Sequence, residues 1–599
     1  MLDLSKGNQE KTPVLSIVIC FRDWGLDRLA AAIRSHFDCA KDIDIEVIVS
    51  DYGSEDFQGI LDVVQPLGGK VARTDTSAPW NRSASLNAGI AVSRGKYIVT
   101  TDADIIFSPP SYTEVVKFLD SNPNALYLIQ CRDLPEEYDA RAIEDILRSK
   151  AKTNDWWLTL DRASIIRPRW GMGGFAAFAR DKFVEINGYD ERMMIWGGED
   201  NDFAKRFRRS GYPIRWLSSN KTRIYHIWHE SSQKKALEAD EGKTAVENNR
   251  EILQSDSSIV RNLSKTILSC DCAPIVSVVI PTFKRSDLLK DCLVSCQSQT
   301  FSGFEVIVVE NGDSNEARDI VGSLKDSRFK YIKTCEKGAS IARNIGLDAA
   351  KGRYIVIHDD DDIMISTRIE DHLKALTEGV SGTYSGWIDF EHDTYEVIAC
   401  HPCKEFTFES LLCNGKVITH GSLMLDSRIF RMFRYENSLS AGIDYGFILK
   451  LARNGLKLNH TKRYGILRRM HSNNLTRCDA AAQKSSGRQM AEVFKSIYSN
   501  AEYKKIRQIG LNARSMVCEN HEAATKELEK YSARCEIGVS KVSMGTSRFA
   551  NLGELDRFIE LEVKGTENLH SDLKGVSSGL RYLIYSRIRL RELRKKANI

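Results

Sequence analysis

Two clusters of carboxylates follow apolar segments of the chain, and their spacing suits the binding of a divalent cation. Asp102 and Asp104 come after KYIVTT, and Asp359 and Asp361 come after RYIVIH. Carboxylates held this close repel one another, and a hard cation such as Mn²⁺ or Mg²⁺ relieves that repulsion while it bridges the phosphates of a substrate. A solvated acidic turn would explain one such pair, but two pairs at matching positions favour two metal sites.

The two clusters end longer stretches that match each other. SLNAGIAVSRGKYIVTTDAD spans residues 85–104 and ARNIGLDAAKGRYIVIHDDD spans 342–361, an offset of 257 residues. Upstream, VLSIVICFRD matches IVSVVIPTFKR, and IEVIVSDYGSED matches FEVIVVENGDSN. A repeat of this length is a duplicated domain and not a solenoid unit.

One acid precedes each cluster and follows the second apolar segment of its copy. Asp51 and Glu310 occupy these positions. In open α/β sheets ligands bind at the carboxyl ends of the strands, where such an acid accepts hydrogen bonds from a nucleotide base or ribose. A turn cap is the alternative. Glycine-rich phosphate loops are missing after the first strand, which argues against an ATPase or a dehydrogenase.

A glycine-rich segment downstream combines a tryptophan with two acids. Trp196 offers a flat apolar face to a sugar, and Gly197 and Gly198 let the backbone approach a ligand closely. Glu199 and Asp200 begin an amphipathic helix, where acids are also common as partners of the helix dipole. In the second copy LSAGIDYGFILKLARNG corresponds to this segment, and Asp444 matches Asp200.

A histidine follows each of these segments at a similar distance. His226 lies 26 residues after Asp200, and His471 lies 27 residues after Asp444. His229 can share this task in the first copy. Imidazole together with carboxylate suits a manganese-type ion better than calcium.

These residues require parallel strands that end at one edge of a sheet. Short apolar strands alternate with amphipathic helices in both copies, which predicts α/β domains with covered parallel sheets. We place the first domain at residues 1–262, the second at 263–485, and a helical C-terminal region with a basic tail at 486–599.

Composition limits the class of partner. The net charge of +4 gives no argument for nucleic-acid binding, and no segment predicts a membrane span or signal peptide. A cytoplasmic protein is therefore expected, and its 14 cysteines are interpreted as free thiols. The final segment, LRYLIYSRIRLRELRKKANI, is basic and amphipathic enough to favour peripheral contact with the inner membrane or with capsule export machinery. A helix packed on its own protein is the alternative.

Both copies resemble inverting glycosyltransferases of family 2, which have the GT-A fold. The first copy also resembles the β-1,4-galactosyltransferase group through WNRSASLNAGI, DAD, WGGED and H-x-x-H, whereas the second carries the general pattern and has GID in place of the usual paired acids. Two such domains with a helical tail resemble the bacterial chondroitin and hyaluronan polymerases.

The resemblance implies a role for each matching residue. The donor nucleotide is bound by Asp51, Arg82, Asp102, Glu310, Arg343 and Asp359. One metal ion per domain, Mn²⁺ or alternatively Mg²⁺, is held by Asp104, His226, His229, Asp361 and His471. The acceptor is bound by Trp196, Gly197, Gly198 and Glu199. The acceptor hydroxyl is deprotonated by Asp200 and Asp444.

The resemblance predicts an enzyme that uses two UDP-sugars to extend a capsular or other surface polysaccharide. The first domain would add an N-acetylhexosamine or galactose, and the second glucuronic acid or another hexose. Two alternatives remain. The enzyme adds single sugars to a lipid-linked oligosaccharide, or the second domain has lost catalysis and serves as a glycan-binding or docking module.

Overall fold

The computed structural model describes residues 12–532, except for 24, 41, 110, 150–155, 169–172, 218–221, 231–233, 235–236, 265–266, 268–273, 415–416, 437–442, 473–491 and 493–495. The basic C-terminal segment therefore lies outside the described residues. Among the helices within those ranges, none is both long and apolar enough to cross a membrane.

The first half of the chain forms a seven-stranded sheet and a smaller four-stranded one. The strands are β1 Leu15–Phe21, β2 Ile45–Tyr52, β3 Lys70–Thr74, β4 Tyr97–Asp102, β5 Ile105–Phe107, β6 Leu126–Ile129, β7 Cys131–Asp133, β8 Ile165–Ile166, β9 Phe175–Ala179, β10 Ile214–Leu217 and β11 Ile224–His226. The helices are α1 Leu26–Asp38, α2 Phe57–Val64, α3 Arg82–Val92, α4 Ser111–Ser121, α5 Ala140–Ser149, α6 Trp157–Ala163, α7 Arg180–Glu185 and α8 Glu199–Arg209. The sheet orders are β10-β6-β9-β4-β1-β2-β3 and β5-β11-β7-β8.

The second half begins after helix α9, Asp240–Ser255, and builds one nine-stranded sheet. Its strands are β12 Val276–Thr282, β13 Phe304–Asn311, β14 Phe329–Thr334, β15 Tyr354–Ile357, β16 Ile363–Met364, β17 Gly382–Glu391, β18 Val397–His401, β19 Leu423–Asp426 and β20 Leu458–Met470. Its helices are α10 Ser286–Gln297, α11 Glu316–Ser323, α12 Ala339–Ala349, α13 Arg368–Lys374, α14 Phe408–Asn414, a 3₁₀ turn at His420–Ser422, α15 Ser427–Met432 and α16 Ile443–Arg453. The order is β14-β13-β12-β15-β19-β17-β20-β16, with β18 paired to β17.

The two halves share a parallel core, β3-β2-β1-β4 and β14-β13-β12-β15. This confirms the predicted α/β class. The predicted parallel pairing holds within that core, whereas β9 and β19 pair antiparallel with β4 and β15. Antiparallel strands need no crossover helix, so the alternation of strand and helix signals did not reveal them.

Close packing of a helix on a strand explains much of the matching sequence. A Cβ at Gly89 of α3 would lie 2.5 Å from Val18 Cγ1 of β1, and a Cβ at Gly346 of α12 would lie 2.4 Å from Val279 Cγ1 of β12. Only glycine permits this approach. Each helix therefore lies directly on an inner strand of its parallel core, β1 or β12, and its arginine reaches the strand end.

The halves contact each other and the C-terminal region. Arg353, just before β15, donates to the Tyr212 hydroxyl at 3.1 Å and to the Ser210 carbonyl at 3.2 Å. Helices α17 Asn500–Leu511 and α18 His521–Ser532 follow within the region predicted to be helical. In α18, Ala524 and Leu528 are buried in one cluster with side chains of β16, β17 and β20.

Candidate active sites

Three potential metal ligands converge in the first half. Asp104 lies in the turn after β4, His226 ends β11, and His229 follows it. One ligand atom from each lies within 4.8 Å of the others, and Asp104 Oδ2 is 3.0 Å from His229 Nε2. Asp104 is buried, and its Oδ1 has no hydrogen-bond partner among the described residues. A buried carboxylate oxygen without a partner is costly, so the donor set fits a cation.

The pKa values of two members of this cluster, Asp104 and His226, favour the forms that bind metal ions. Burial alone would raise the pKa of Asp104, but the hydrogen bond from His229 and the charges of both imidazoles lower it to about 2. Burial lowers the pKa of His226, against the opposing effect of Asp104. Burial would lower the pKa of His229 as well, but its hydrogen bond to Asp104 raises it, so His229 must lose its proton when an ion binds. An ionised carboxylate and a neutral imidazole are the forms that bind metal ions.

Arg82 links the end of β4 to the start of α8. It is the first residue of α3, whose N-terminus is capped by the Asn81 side chain. Its Nε and Nη2 donate to Asp102 Oδ1 at 2.9 and 2.8 Å, and its Nη1 donates to Asp200 Oδ1 at 2.8 Å. One nearly buried guanidinium thus holds the first acid of the pair beside the acid of the glycine-rich segment.

The two acids that begin α8 have raised pKa values. Burial, followed by the charge of Asp200, raises the pKa of Glu199 to about 7. Burial also raises the pKa of Asp200, and Arg82 opposes that rise. A higher pKa makes Asp200 a stronger proton acceptor near neutral pH.

The glycine-rich segment is fixed from α9. Gly197 and Gly198 have φ values of 88° and 102°, which other residues rarely adopt. Asn249 of α9 donates to the carbonyls of Met194, Trp196 and Gly197 at 2.8, 3.2 and 2.9 Å. The backbone is therefore held in place while Trp196 stays 37% exposed.

Asp51, near the end of β2, lies beside the same strand as Asp102, which ends β4. The strand register places Asp51 opposite Phe21, and Asp102 opposite Cys20, so the two acids flank the end of β1. Asp51 is fully buried and receives a hydrogen bond from Arg73 Nη1 at 2.6 Å. The sequence did not single out Arg73.

The second half repeats this contact of one arginine with two acids, which we call the arginine bridge. Arg343 of α12 donates through Nη2 to Asp359 at 2.9 Å and through Nη1 to Asp444 at 3.1 Å. Burial alone would raise the pKa of Asp359, but Arg343 lowers it to about 2. The Asp444 side chain is 48% exposed, against 19% for Asp200. His420 Nδ1 lies 3.7 Å from Asp444.

The second acidic cluster differs in its partners. His471 Nε2 lies 3.1 Å from Asp361 Oδ2, and Arg285 Nη1 lies 2.9 Å from the same oxygen. Glu310 is the penultimate residue of β13 and accepts a hydrogen bond from the Tyr331 hydroxyl at 2.8 Å. A guanidinium thus contacts Asp361, whereas the equivalent acid of the first half, Asp104, lies beside two imidazoles.

The family model for glycosyl transferase family 2 matches residues 16–182 and 277–431, more than half of the chain. The chain belongs to glycosyl transferase family 2. A second model, described as the N-terminal domain of galactosyltransferase, matches residues 159–230, which contain the glycine-rich segment and both histidines of the first half. This family 2 chain is a glycosyltransferase with two GT-A-type regions.

Curated relatives of this family 2 glycosyltransferase include polysaccharide synthases. Chondroitin synthase of Escherichia coli is 24% identical over 468 residues, covering 72% of this chain and 66% of that protein. Hyaluronan synthase of Pasteurella multocida is 22% identical over 484 residues, covering 74% of this chain and 48% of that protein. An Escherichia coli UDP-Glc:alpha-D-GlcNAc-diphosphoundecaprenol beta-1,3-glucosyltransferase is 29% identical over 208 residues, covering 34% of this chain and 80% of that protein. The predicted resemblance to the synthases is confirmed.

One repeated pair of contacts in the glycosyltransferase was missed from the sequence. Asn87 donates to the Tyr189 carbonyl and accepts from its N–H, both at 2.9 Å. Asn344 does the same with Tyr435 at 3.0 and 3.2 Å. The signal was available, because both asparagines occupy the same position in the matching stretches. These hydrogen bonds hold each arginine-bearing helix, α3 or α12, against the segment that leads to Asp200 or Asp444.

Proposed function

We propose that both halves are catalytic, and that each inverts the anomeric carbon as it moves a sugar from a UDP-sugar to a growing surface polysaccharide. The observation that carries this proposal is the arginine bridge found in each half. Arg82 and Arg343 each join the first acid of a strand-end pair to the acid that could deprotonate an acceptor. The arrangement brings the donor side and the acceptor side of a transfer site together twice.

A divalent cation fits the first site through Asp104, His226 and His229, and the second through Asp361 and His471. When bound, such an ion supplies charge neutralisation to the departing diphosphate. The mixed carboxylate and imidazole donors favour Mn²⁺, and Mg²⁺ is the alternative.

The remaining steps rest on the chain itself. Asp200 or Asp444 takes the proton of the acceptor hydroxyl while that oxygen forms a bond to the anomeric carbon, and the bond to the diphosphate oxygen breaks. One displacement of this kind inverts the configuration and needs no covalent enzyme intermediate. The rigid segment from Trp196 to Gly198 orients the acceptor sugar, which supplies the proximity that the reaction requires.

The relatives support the choice of substrates. Two of them are named as chondroitin and hyaluronan synthases. We assign N-acetylhexosamine or galactose transfer to the first half, which also matches the galactosyltransferase model, and glucuronic acid or another hexose to the second.

Separate Asp200→Asn and Asp444→Asn variants test the proposal with a panel of UDP-sugars and mass spectrometry of the product. Each variant should lose transfer from one donor and keep the other, and the exposed-site variant Asp240→Asn should keep both. EDTA should abolish both transfers, and added Mn²⁺ should restore them. An Asp444→Asn enzyme that retains every transfer would overturn the assignment of two active sites.

A second candidate is the addition of single sugars to a lipid-linked acceptor. It is favoured by the similarity to the glucosyltransferase whose printed name includes a diphosphoundecaprenol acceptor. With both donors in excess, products that stop after one or two added sugars would establish this candidate and exclude polymerisation.

A further inference from the structure

One carboxylate oxygen of the second acidic cluster already contacts two nitrogen atoms. Asp361 Oδ2 lies 2.9 Å from Arg285 Nη1 and 3.1 Å from His471 Nε2. The same arginine nitrogen lies 3.1 Å from Asp360 Oδ1. A single guanidinium nitrogen therefore bridges two neighbouring carboxylates, as a bound divalent cation also does.

Burial makes this contact of Arg285 with the two acids strong. The side chains of Asp360 and Asp361 are only 6% and 9% exposed, and that of Arg285 is 27% exposed. A guanidinium stays charged in proteins and offers only hydrogen-bond donors. Arg285 therefore offsets part of the repulsion between two adjacent buried acids, which a cation would otherwise have to do.

The equivalent acid of the first half has a different environment. Asp104 lies beside the imidazoles of His226 and His229, and its Oδ1 has no hydrogen-bond partner among the described residues. Arg28 acts on Asp104 through its charge, but within the described part of the chain no guanidinium forms a hydrogen bond or ion pair with this acid. An ion can therefore reach Asp104 without displacing a charged side chain from it.

The two copies of the domain also differ in sequence at both partners of this contact. The register of β1 and β12 on their neighbours gives Arg285 the same sequence position as Trp24. The matching acidic segments give Asp360 the same position as Ala103. Neither Trp nor Ala carries a charge. The cation and one of its acids therefore occur together in the second copy, as expected of two residues that act on each other.

We propose that Arg285 competes with the divalent cation for Asp361, so that the second half binds the ion more weakly than the first. This inference rests on the cation sites proposed above for both halves, and it assigns them different affinities. For an ion to bind Asp361, either the guanidinium leaves the shared oxygen or the ion binds beside a positive charge, and both lower its affinity. The first half therefore keeps its ion at cation concentrations at which the second half is largely empty.

The diphosphate of a donor nucleotide relieves this competition. A guanidinium that leaves Asp361 finds a suitable partner in a phosphate oxygen, because arginine donates to phosphate in the same way as to carboxylate. The ion and the nucleotide therefore strengthen each other's binding in the second half by the same factor. The second transfer is then the one whose rate follows the concentration of free cation.

Titration of the full-length chain with Mn²⁺, with free Mn²⁺ measured by electron paramagnetic resonance, tests the proposal without relying on transfer. Wild type should bind two ions per chain, with affinities that differ by about tenfold or more. Asp104→Asn should remove the tighter site, and Asp361→Asn should remove the weaker one. Equal affinities, or loss of the tighter site in Asp361→Asn, would overturn the proposal.

The role of Arg285 is tested in the Asp104→Asn background, where only the second site remains. Arg285→Gln should raise the Mn²⁺ affinity about tenfold and should reduce the factor by which UDP strengthens Mn²⁺ binding. Arg285→Lys keeps the charge and should bind Mn²⁺ more weakly than Arg285→Gln, which keeps the test decisive if the neutral variant fails to fold.

A matched control separates direct contact from the general effect of a nearby charge. Arg468 donates to Asp389 at 2.7 and 2.6 Å and acts on the acids of the second cluster only through its charge. Arg468→Gln should therefore change the Mn²⁺ affinity much less than Arg285→Gln. An equal change in both variants, or no change in a folded Arg285→Gln protein, would refute the competition.

The outcome is also distinguishable from that of the proposed function. Two-donor transfer by an enzyme whose Mn²⁺ sites have equal affinities would overturn this inference and leave the two active sites standing. Unequal sites that respond to Arg285→Gln, in an enzyme that lacks the second transfer, would support the inference and contradict the proposed function.

Discussion

Replacing Glu199 with Gln should stabilise the protein at alkaline pH and leave its stability at acid pH unchanged. Glu199 begins α8 beside Asp200, and its side chain is 14% exposed. Burial and the neighbouring Asp200 charge raise its pKa from 4.5 to about 7. Gln has the shape of the protonated acid but cannot ionise, so it imitates the form that the folded state prefers.

The sign and size follow from the pKa of Glu199 in the two states. Because the folded-state value is raised, the stability contributed by the protonated acid is fully present below pH 4.5 and is lost as the pH rises through about 7. A rise of about 2.5 pH units at 1.36 kcal/mol per unit corresponds to about 3 kcal/mol. Loss of the favourable interaction with the helix dipole subtracts about 0.3–1 kcal/mol from the gain at high pH.

Urea denaturation at pH 5 and pH 8 measures this difference, with hydrogen exchange of α8 amides to assign it to the first domain. The matched control is Glu241→Gln, an exposed acid in the first turn of α9, which should report the dipole effect alone. The variant should gain about 2–3 kcal/mol over wild type at pH 8 and little at pH 5. A gain of equal size at both pH values, or a less stable variant at pH 8, would refute the reasoning.

Three further changes probe the packing, the acceptor platform and the arginine bridge. In the same urea titration, Gly346→Ala should destabilise the protein by about 1–3 kcal/mol, because the added Cβ overpacks the helix against β12. The matched control is Gly322→Ala, whose Cβ would meet nothing within 4 Å and which should stabilise α11 by about 0.5–1 kcal/mol. Asn249→Ala removes the donor to three carbonyls and should raise the acceptor KM of the first transfer while the second transfer is unchanged. Arg343→Leu should abolish the second transfer, and adding Ala339→Arg should restore part of it; no recovery in a folded double variant would contradict the proposed bridge.

Apolar runs and internal repetition were sufficient to predict the fold class. Strands such as β1 and β12 are buried along nearly their whole length, so their sequences are almost entirely apolar and the two copies can be matched by eye. The strands outside the parallel core were harder to predict. β5, β8 and β11 have only two or three residues each, too few to show a period, and tertiary pairing alone defines them.

The residue types at the candidate sites could be predicted, but most of their partners could not. Matching acids and histidines at similar spacing in the two copies identified Asp104 and Asp361. Arg73 and Arg285, which contact Asp51 and Asp361, lie on other segments and follow no motif.

The arginine bridge is a contact that the two copies share although their arginines occupy different positions in the sequence. Helices α3 and α12 each span 11 residues, and Arg82 is the first residue of α3 whereas Arg343 is the fifth of α12. Four residues are about one helical turn, so the two side chains leave the same face of the helix. Because helical side chains tilt toward the N-terminus, the later arginine reaches the same place as the earlier one.

In the match between the two copies Arg343 corresponds to Leu86, so alignment alone would score the arginine as lost. A buried cation between two carboxylates is costly to assemble unless all three charges are needed together. Its presence in both halves, reached from different positions, is therefore an argument that the second half is a working transfer site and not a docking module.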